Sequence, residues 1–198
     1  MPATIVDTKV IRDAVRLACR APSLHNSQPW RWVVEGATVQ LFVEPDRVVR
    51  GADSSGREAL IACGAVLDHF RVAMAAAGFT ANVDRFPNPN NRLHVASIDF
   101  TAIEFVTDGH RQRANAILLR RTDRLPFAAP PDWDTFEPEL QDTADSDAVR
   151  LDIIPGRSSS AASRSVSAHR VVASLRFVVP CGTGLVDSGF RGFRRYSP

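Results

Sequence analysis

REALIACGAVLDHFRVAMAAAG, Arg57 to Gly78, decides what kind of fold this chain builds. Leu60, Gly64, Leu67, Phe70 or Arg71, Met74 and Gly78 return every three or four residues, the period of one helix face, and the run is dense in Ala and Gly. A helix of this kind lies inside a packed structure, and its small residues are expected to let a second helix come close. Ser55 and Glu58 have the spacing of a capping box at its start.

The flanks supply the other layer. Upstream, Asp7 or Thr8 can cap a helix reaching about Arg20, with Val10, Ala14, Leu17 and Ala18 as its apolar stripe and Pro22 as its stop. RWVVE and VQLFVE follow, separated by Glu35 to Thr38 with a glycine for the turn, the pattern of a hairpin. Downstream, TANVDRF and LHVASIDF are two more strands joined by PNPNNR, and a third helix is predicted from about Asp108 to Arg120. A capped segment, DWDTFEPELQD, and a strand, VRLDIIP, complete the orderly part. Helix, hairpin, long helix, hairpin, helix is the order of an α+β domain whose small, mostly antiparallel sheet is covered by helices.

Composition changes abruptly after Pro155. Up to that residue 17 Lys and Arg stand against 21 Asp and Glu; beyond it 7 Arg stand against one Asp. The last 43 residues hold nine serines and no Glu, Lys, Gln, Asn, Ile, Met or Trp. The chain is therefore divided into an orderly domain, 1–155, and an Arg/Ser-rich tail, 156–198, expected to be disordered except that VVASLRFVV has strand character.

No signal peptide and no apolar run of membrane-spanning length is evident, so a cytoplasmic protein is expected. Cys19, Cys63 and Cys181 are too far apart for CxxC chemistry, and His25, His69, His94 and His110 lack ligand spacing, which sets aside zinc and other metals. GxSxG is absent, CGTGLVDSG lacks a strand-to-helix context, and the basic tail lacks aromatic interleaving; hydrolase, nucleotide-fold and nucleic-acid readings have no support.

Two stretches carry chemistry. RAPSLHNSQPWRW, Arg20 to Trp32, lies between a helix and a strand. Asn26 and Gln28 offer paired donors and acceptors suited to the polar edge of a planar heterocycle, Trp30 and Trp32 add flat apolar surface, and Pro22 and Pro29 stiffen the backbone. On composition alone, a turn with core tryptophans explains the same residues. RRTDR, Arg120 to Arg124, puts three guanidiniums and a hydroxyl at a helix end, which suits a phosphate but equally suits a solvated basic terminus stabilised by the helix dipole.

These stretches resemble known ones. APSLHNSQPWRW is similar to the APSxxNxQPWxF segment of nitroreductases, GREALIACGAVLDHFRVAMAAAG to their long central helix, and RRTDR to their RRSxR phosphate motif. From about Thr4 to Pro155 the chain resembles the N-terminal part of the Acg-type nitroreductases of mycobacteria, a divergent branch of the FMN-dependent nitroreductases. The resemblance implies a nitroreductase-like half of a pseudodimer, because Acg-type chains look like two subunits fused, each half supplying what the other lacks. It implies FMN as cofactor, NAD(P)H as reductant and a nitroaromatic or quinone-like small molecule as acceptor, with no nucleic-acid or membrane partner. By the same resemblance Ser23, Asn26, Gln28, Pro29, Trp30, Arg31 and Trp32 line the flavin ring, and Arg120, Arg121, Thr122 and Arg124 hold its phosphate. No catalytic side chain is implied, since the flavin carries the chemistry. The family continues well beyond Pro155 in a way not recognisable here, so a frameshifted or truncated member is expected, with self-association through open apolar helix faces. A protein that stores FMN without turnover, or an inactive fragment, are the rival readings.

Overall fold

The structure is a computed structural model that describes residues 4–122, 132–144, 149–154 and 170–175. Cys181, Arg124 and most of the 156–198 tail lie outside the described residues. The chain divides into two compact units, 1–123 and 124–198.

In the first unit, α1 (Thr8–Ala18) starts where Asp7 caps it, the carboxylate accepting from the Lys9 backbone N–H at 2.8 Å. Strands β1 (Trp30–Glu35) and β2 (Thr38–Val43) form the expected hairpin. Gly36 stands first in its two-residue loop with φ +59°, the left-handed geometry that primed hairpin turns require. β3 (Phe79–Arg85) and β4 (His94–Ala102) form the second antiparallel pair. β2 joins β4, giving a wholly antiparallel four-stranded sheet in the order β1-β2-β4-β3 with a bulge opposite Leu41 and Phe42.

Helix α2 (Arg57–Ala76) lies on one face of this sheet, flanked by α1 and by α3 (Asp108–Leu119). Trp30, Val39, Leu41, Ile98 and Phe100 from the sheet meet Ala62, Cys63, Val66, Phe70 and Met74 from α2 in one hydrophobic core. By length and composition α2 could cross a bilayer, but here it is the core helix, and burial of its apolar face is what its composition serves. The α+β architecture expected from the element order is the one observed.

Two details of α2 depart from its sequence pattern. The buried stripe is Ala59, Ala62, Cys63, Val66, Leu67, Phe70, Ala73 and Met74, while Gly64 is exposed and a Cβ there would meet nothing within 4 Å. Because the helix is apolar almost all round, periodicity alone cannot choose its inner face. Its start is not the Ser55/Glu58 capping box either. Gly56 occupies the N-cap position with φ +72°, and buried Asp53 reaches past it to accept from the Ala59 N–H at 2.9 Å.

In the second unit, helix α4 (Trp133–Ala144) carries Pro138 in its interior. β5 (Val149–Ile154) pairs antiparallel with β6 (Arg170–Leu175), from within the VVASLRFVV segment. This pairing crosses the compositional break at Pro155, and the division between units falls earlier, after Asp123.

Candidate functional site

The loop after α1 is held in an unusual backbone shape by short-range bonds. Ser23 Oγ accepts from the Gln28 N–H at 3.0 Å, Asn26 N–H donates to the Ser23 carbonyl at 3.0 Å, and Ser27 N–H donates to the Leu24 carbonyl at 3.0 Å. Within this clamp His25, Asn26 and Gln28 have φ of 50°, 55° and 49°. Three non-glycine residues in the left-handed region within four positions is costly for L-amino acids, and such strain concentrates where a backbone must present groups in a set way. The side chains of Asn26 and Gln28 touch, Gln28 Nε2 donating to Asn26 Oδ1 at 3.4 Å.

Pro29 anchors the far end of the loop. Its side chain is fully buried, and its carbonyl accepts from Glu44 N–H at 3.1 Å and from the Cys63 thiol at 3.5 Å. Burial pushes the Cys63 thiol up to about 12, so it stays protonated and able to donate to that carbonyl. Trp30 is 5% exposed and part of the core. Trp32 points to the same side and packs on Phe70 with centroids 4.8 Å apart, its Nε1 buried without a partner. Arg31, on the opposite sheet face by strand alternation, pairs with Glu44 at 3.4 Å and lies 4.8 Å over the Phe42 ring. The structure thus brings Ser23, Asn26 and Gln28 together in one polar loop, gives Pro29, Trp30 and Trp32 to the core beneath it, and sends Arg31 elsewhere.

Arg120, Arg121 and Thr122 gather at the C-terminal end of α3. Arg121 Nη1 donates to the carbonyls of Leu118 and Arg120, each at 3.0 Å, and Arg20 Nη2 reaches the Leu118 carbonyl at 3.3 Å. Cations here satisfy carbonyls that the helix leaves open and meet the negative end of its dipole. Arg120 Nη1 donates to Thr122 Oγ1 at 3.0 Å and Nη2 to the backbone carbonyl of Arg20 at 2.7 Å. That last bond, across 100 positions of sequence, ties the arginine cluster to the end of α1, three residues before Ser23.

None of the ion pairs among the described residues involves Arg20, Arg120 or Arg121. Three guanidiniums without a carboxylate partner, one of them with a buried, unpartnered Nε, fit an anionic group in charge. The amides of Asn26 and Gln28 fit a polar ring edge in their donors and acceptors. Among the described residues no set of His, Cys, Asp or Glu side chains comes together as a metal site.

His69 was not legible as part of this neighbourhood. It lies on α2, half-buried, with Nδ1 buried without a partner, near the Ala18 carbonyl and close enough to Arg120 to feel its charge. Burial first, then the Arg120 charge, hold the imidazole below its ordinary range, against the opposing pull of Asp68 and the Ala18 carbonyl.

Comparison with known proteins gives the site its context. No protein-family model matches the chain. A Mycobacterium tuberculosis protein named "Putative NAD(P)H nitroreductase acg" is 70% identical over 154 residues, 78% of this chain and 46% of the relative. An uncharacterized protein of the same organism is 55% identical over 149 residues, 73% of this chain and 43% of the relative. The chain spans about half the length of the curated relatives it matches. Among solved structures, the nitroreductase CinD from Lactococcus lactis in complex with nicotinic acid is similar with a TM-score of 0.42 at 14% identity, over 65% of this chain and 93% of that one.

Proposed function

We propose, from the premise that over the matched stretch this chain belongs to the Acg-type branch of the nitroreductase family, that it contributes one side of an FMN site and serves an NAD(P)H-dependent oxidoreductase. The acceptor is a small nitroaromatic or quinone-like molecule, with neither nucleic acid nor membrane as partner, and the setting is the cytoplasm. The observation that carries the reading is the bond from Arg120 to the Arg20 carbonyl, which supports a single site served by the arginine cluster and the polar loop.

When bound, the flavin supplies the electron-accepting ring on which hydride transfer depends. The residues of this chain bind and orient. Asn26 and Gln28 present amides from a backbone already clamped in the left-handed region, so little ordering remains to be done on binding. Arg120, Arg121 and Thr122 neutralise a phosphate with charge-assisted bonds, and Arg124 extends the same stretch. Trp30 and Trp32 hold the loop to the core rather than offering open faces.

Anaerobic titration of the purified chain tests this reading. Yellow protein bleached by NAD(P)H is the expected result. Yellow protein that NAD(P)H cannot bleach supports FMN storage without turnover, and protein that takes up no FMN contradicts both.

A further inference from the structure

Helix α3 starts with a histidine where a capping box ordinarily has glutamate or glutamine. Thr107 is the N-cap, and its hydroxyl accepts from the His110 backbone N–H at 3.3 Å; in return His110 Nδ1 accepts from the Thr107 N–H at 3.3 Å. That second bond fixes the ring. Nδ1 is the acceptor, so the neutral imidazole carries its proton on Nε2. The cap matters because packing does little for the start of this helix. The buried residues of α3 are Ala114 and Ile117, both in its second half; none of residues 108–113 is buried, and Gly109 puts a poor helix former into the first turn.

We propose that Thr107 and His110 form an acid-sensitive latch on the first turn of α3, complete while the imidazole is neutral and half undone when it takes up a proton. Protonation places a hydrogen on Nδ1, facing the Thr107 N–H, so two donors meet and that bond is lost. The bond from the His110 N–H to the Thr107 hydroxyl does not involve the ring and stays. The new charge also stands at the positive end of the helix dipole. Charged neighbours divide. In the groove that His110 shares with α2, Arg71 and Arg113 oppose a further cation and Asp68 favours it, although Asp68 already lies 3.8 Å from Arg71. On α3 itself Asp108 favours it but is paired with Arg111 at 3.0 Å. Each carboxylate thus has an arginine beside it, while Arg113 enters no ion pair among the described residues. The lost bond, the dipole and the extra guanidinium act in one direction: the first turn loosens as pH falls through about 8 to 5, where histidine changes charge. Packing of Ala114 and Ile117 confines the opening to the start of the helix and leaves the arginine cluster at its far end in place. The latch does not depend on the flavin reading.

NMR on the ¹⁵N,¹³C-labelled full chain tests the latch, with the ring nitrogens reporting the His110 tautomer and amide protection, corrected for intrinsic exchange, reporting the start of the helix. The expected result at about pH 8 is an Nε2–H tautomer and a protected Thr107 N–H. As His110 titrates, that protection should fall about fivefold, the effect of one hydrogen bond. Over the same range the ¹³Cα shifts of residues 108–111 should move toward coil values while those of Ala116 and Ile117 hold. His110→Gln, whose Oε1 can accept where Nδ1 did, should keep the turn closed in base and acid alike, and His110→Ala should leave it loose in both. An Nδ1–H tautomer in base, or Thr107 protection that falls equally in His110→Gln, overturns the latch. The tautomer and the shifts are read in the wild type, so they judge the proposal even where a variant fails to fold.

Discussion

The loop from Ser23 to Gln28 and the cluster from Arg120 to Thr122 are built on opposite principles. The loop is neutral, strained and locked: three left-handed residues are held by their own backbone bonds and by the anchor at Pro29. The cluster is charged and unstrained, a helix terminus whose arginines cap carbonyls and face no carboxylate among the described residues. Shape resides in the first and charge in the second. Substitutions in the loop and its supports should therefore act through folding and geometry, and substitutions in the cluster through electrostatics that salt can screen.

The sharpest break of this contrast is at Phe70, fully buried beneath Trp32 and near Phe100 at 6.2 Å. Phe70→Ala should cost about 3–5 kcal/mol in a urea titration, enough to threaten folding and with it the loop's foundation. Next comes the charge side. Arg120→Ala with Arg121→Ala should weaken FMN retention by about 3 kcal/mol in a fluorescence titration while moving the urea midpoint far less. A parallel loss of stability would mean that the arginines serve the helix end alone. Ser23→Ala frees the Gln28 N–H and should cost about 1 kcal/mol in stability, with a matching loss in binding that added salt does not change. The smallest effect is a control on the open side of α2: Gly64→Ala should raise stability by about 0.5–1 kcal/mol, since the helix gains and no neighbour is crowded. Acid titration adds a direction. His69 resists protonation in the folded chain, so its contribution is full above about 6.5 and lost as pH falls through its lower folded value; replacing it with Asn should flatten that part of the stability profile.

Element types and order were legible because each segment had a clear period or turn: the alternation of RWVVE and VQLFVE, the glycine between them, and the length of the Arg57–Ala76 run all named their structures. Facing was harder. Alanines around α2 hid its inner side, so Gly64 looked like a packing site and is open. The helix start misleads because Ser55 and Glu58 fit a familiar spacing, while the actual capping acceptor, the carboxylate of Asp53, acts across a left-handed glycine that only the backbone shows. Of the site, the polar loop and the arginine motif stood out by composition, but Trp30 and Trp32 are apolar enough for either a ligand or a core, and the core claims them. His69 left no signal, since the groups that act on it from beyond its own helix belong to the ends of α1 and α3, far from it in sequence.

That one ligand spans both regions is tested most directly by comparing FMN with riboflavin, which lacks the phosphate, on the wild type, Gln28→Ala and Arg120→Ala/Arg121→Ala by flavin fluorescence quenching at two salt concentrations. The expected outcome is that Gln28→Ala weakens both ligands alike, whereas the double arginine variant abolishes the preference for FMN and its salt dependence. A wild type that binds FMN no better than riboflavin, or a preference that survives loss of both arginines, would contradict it.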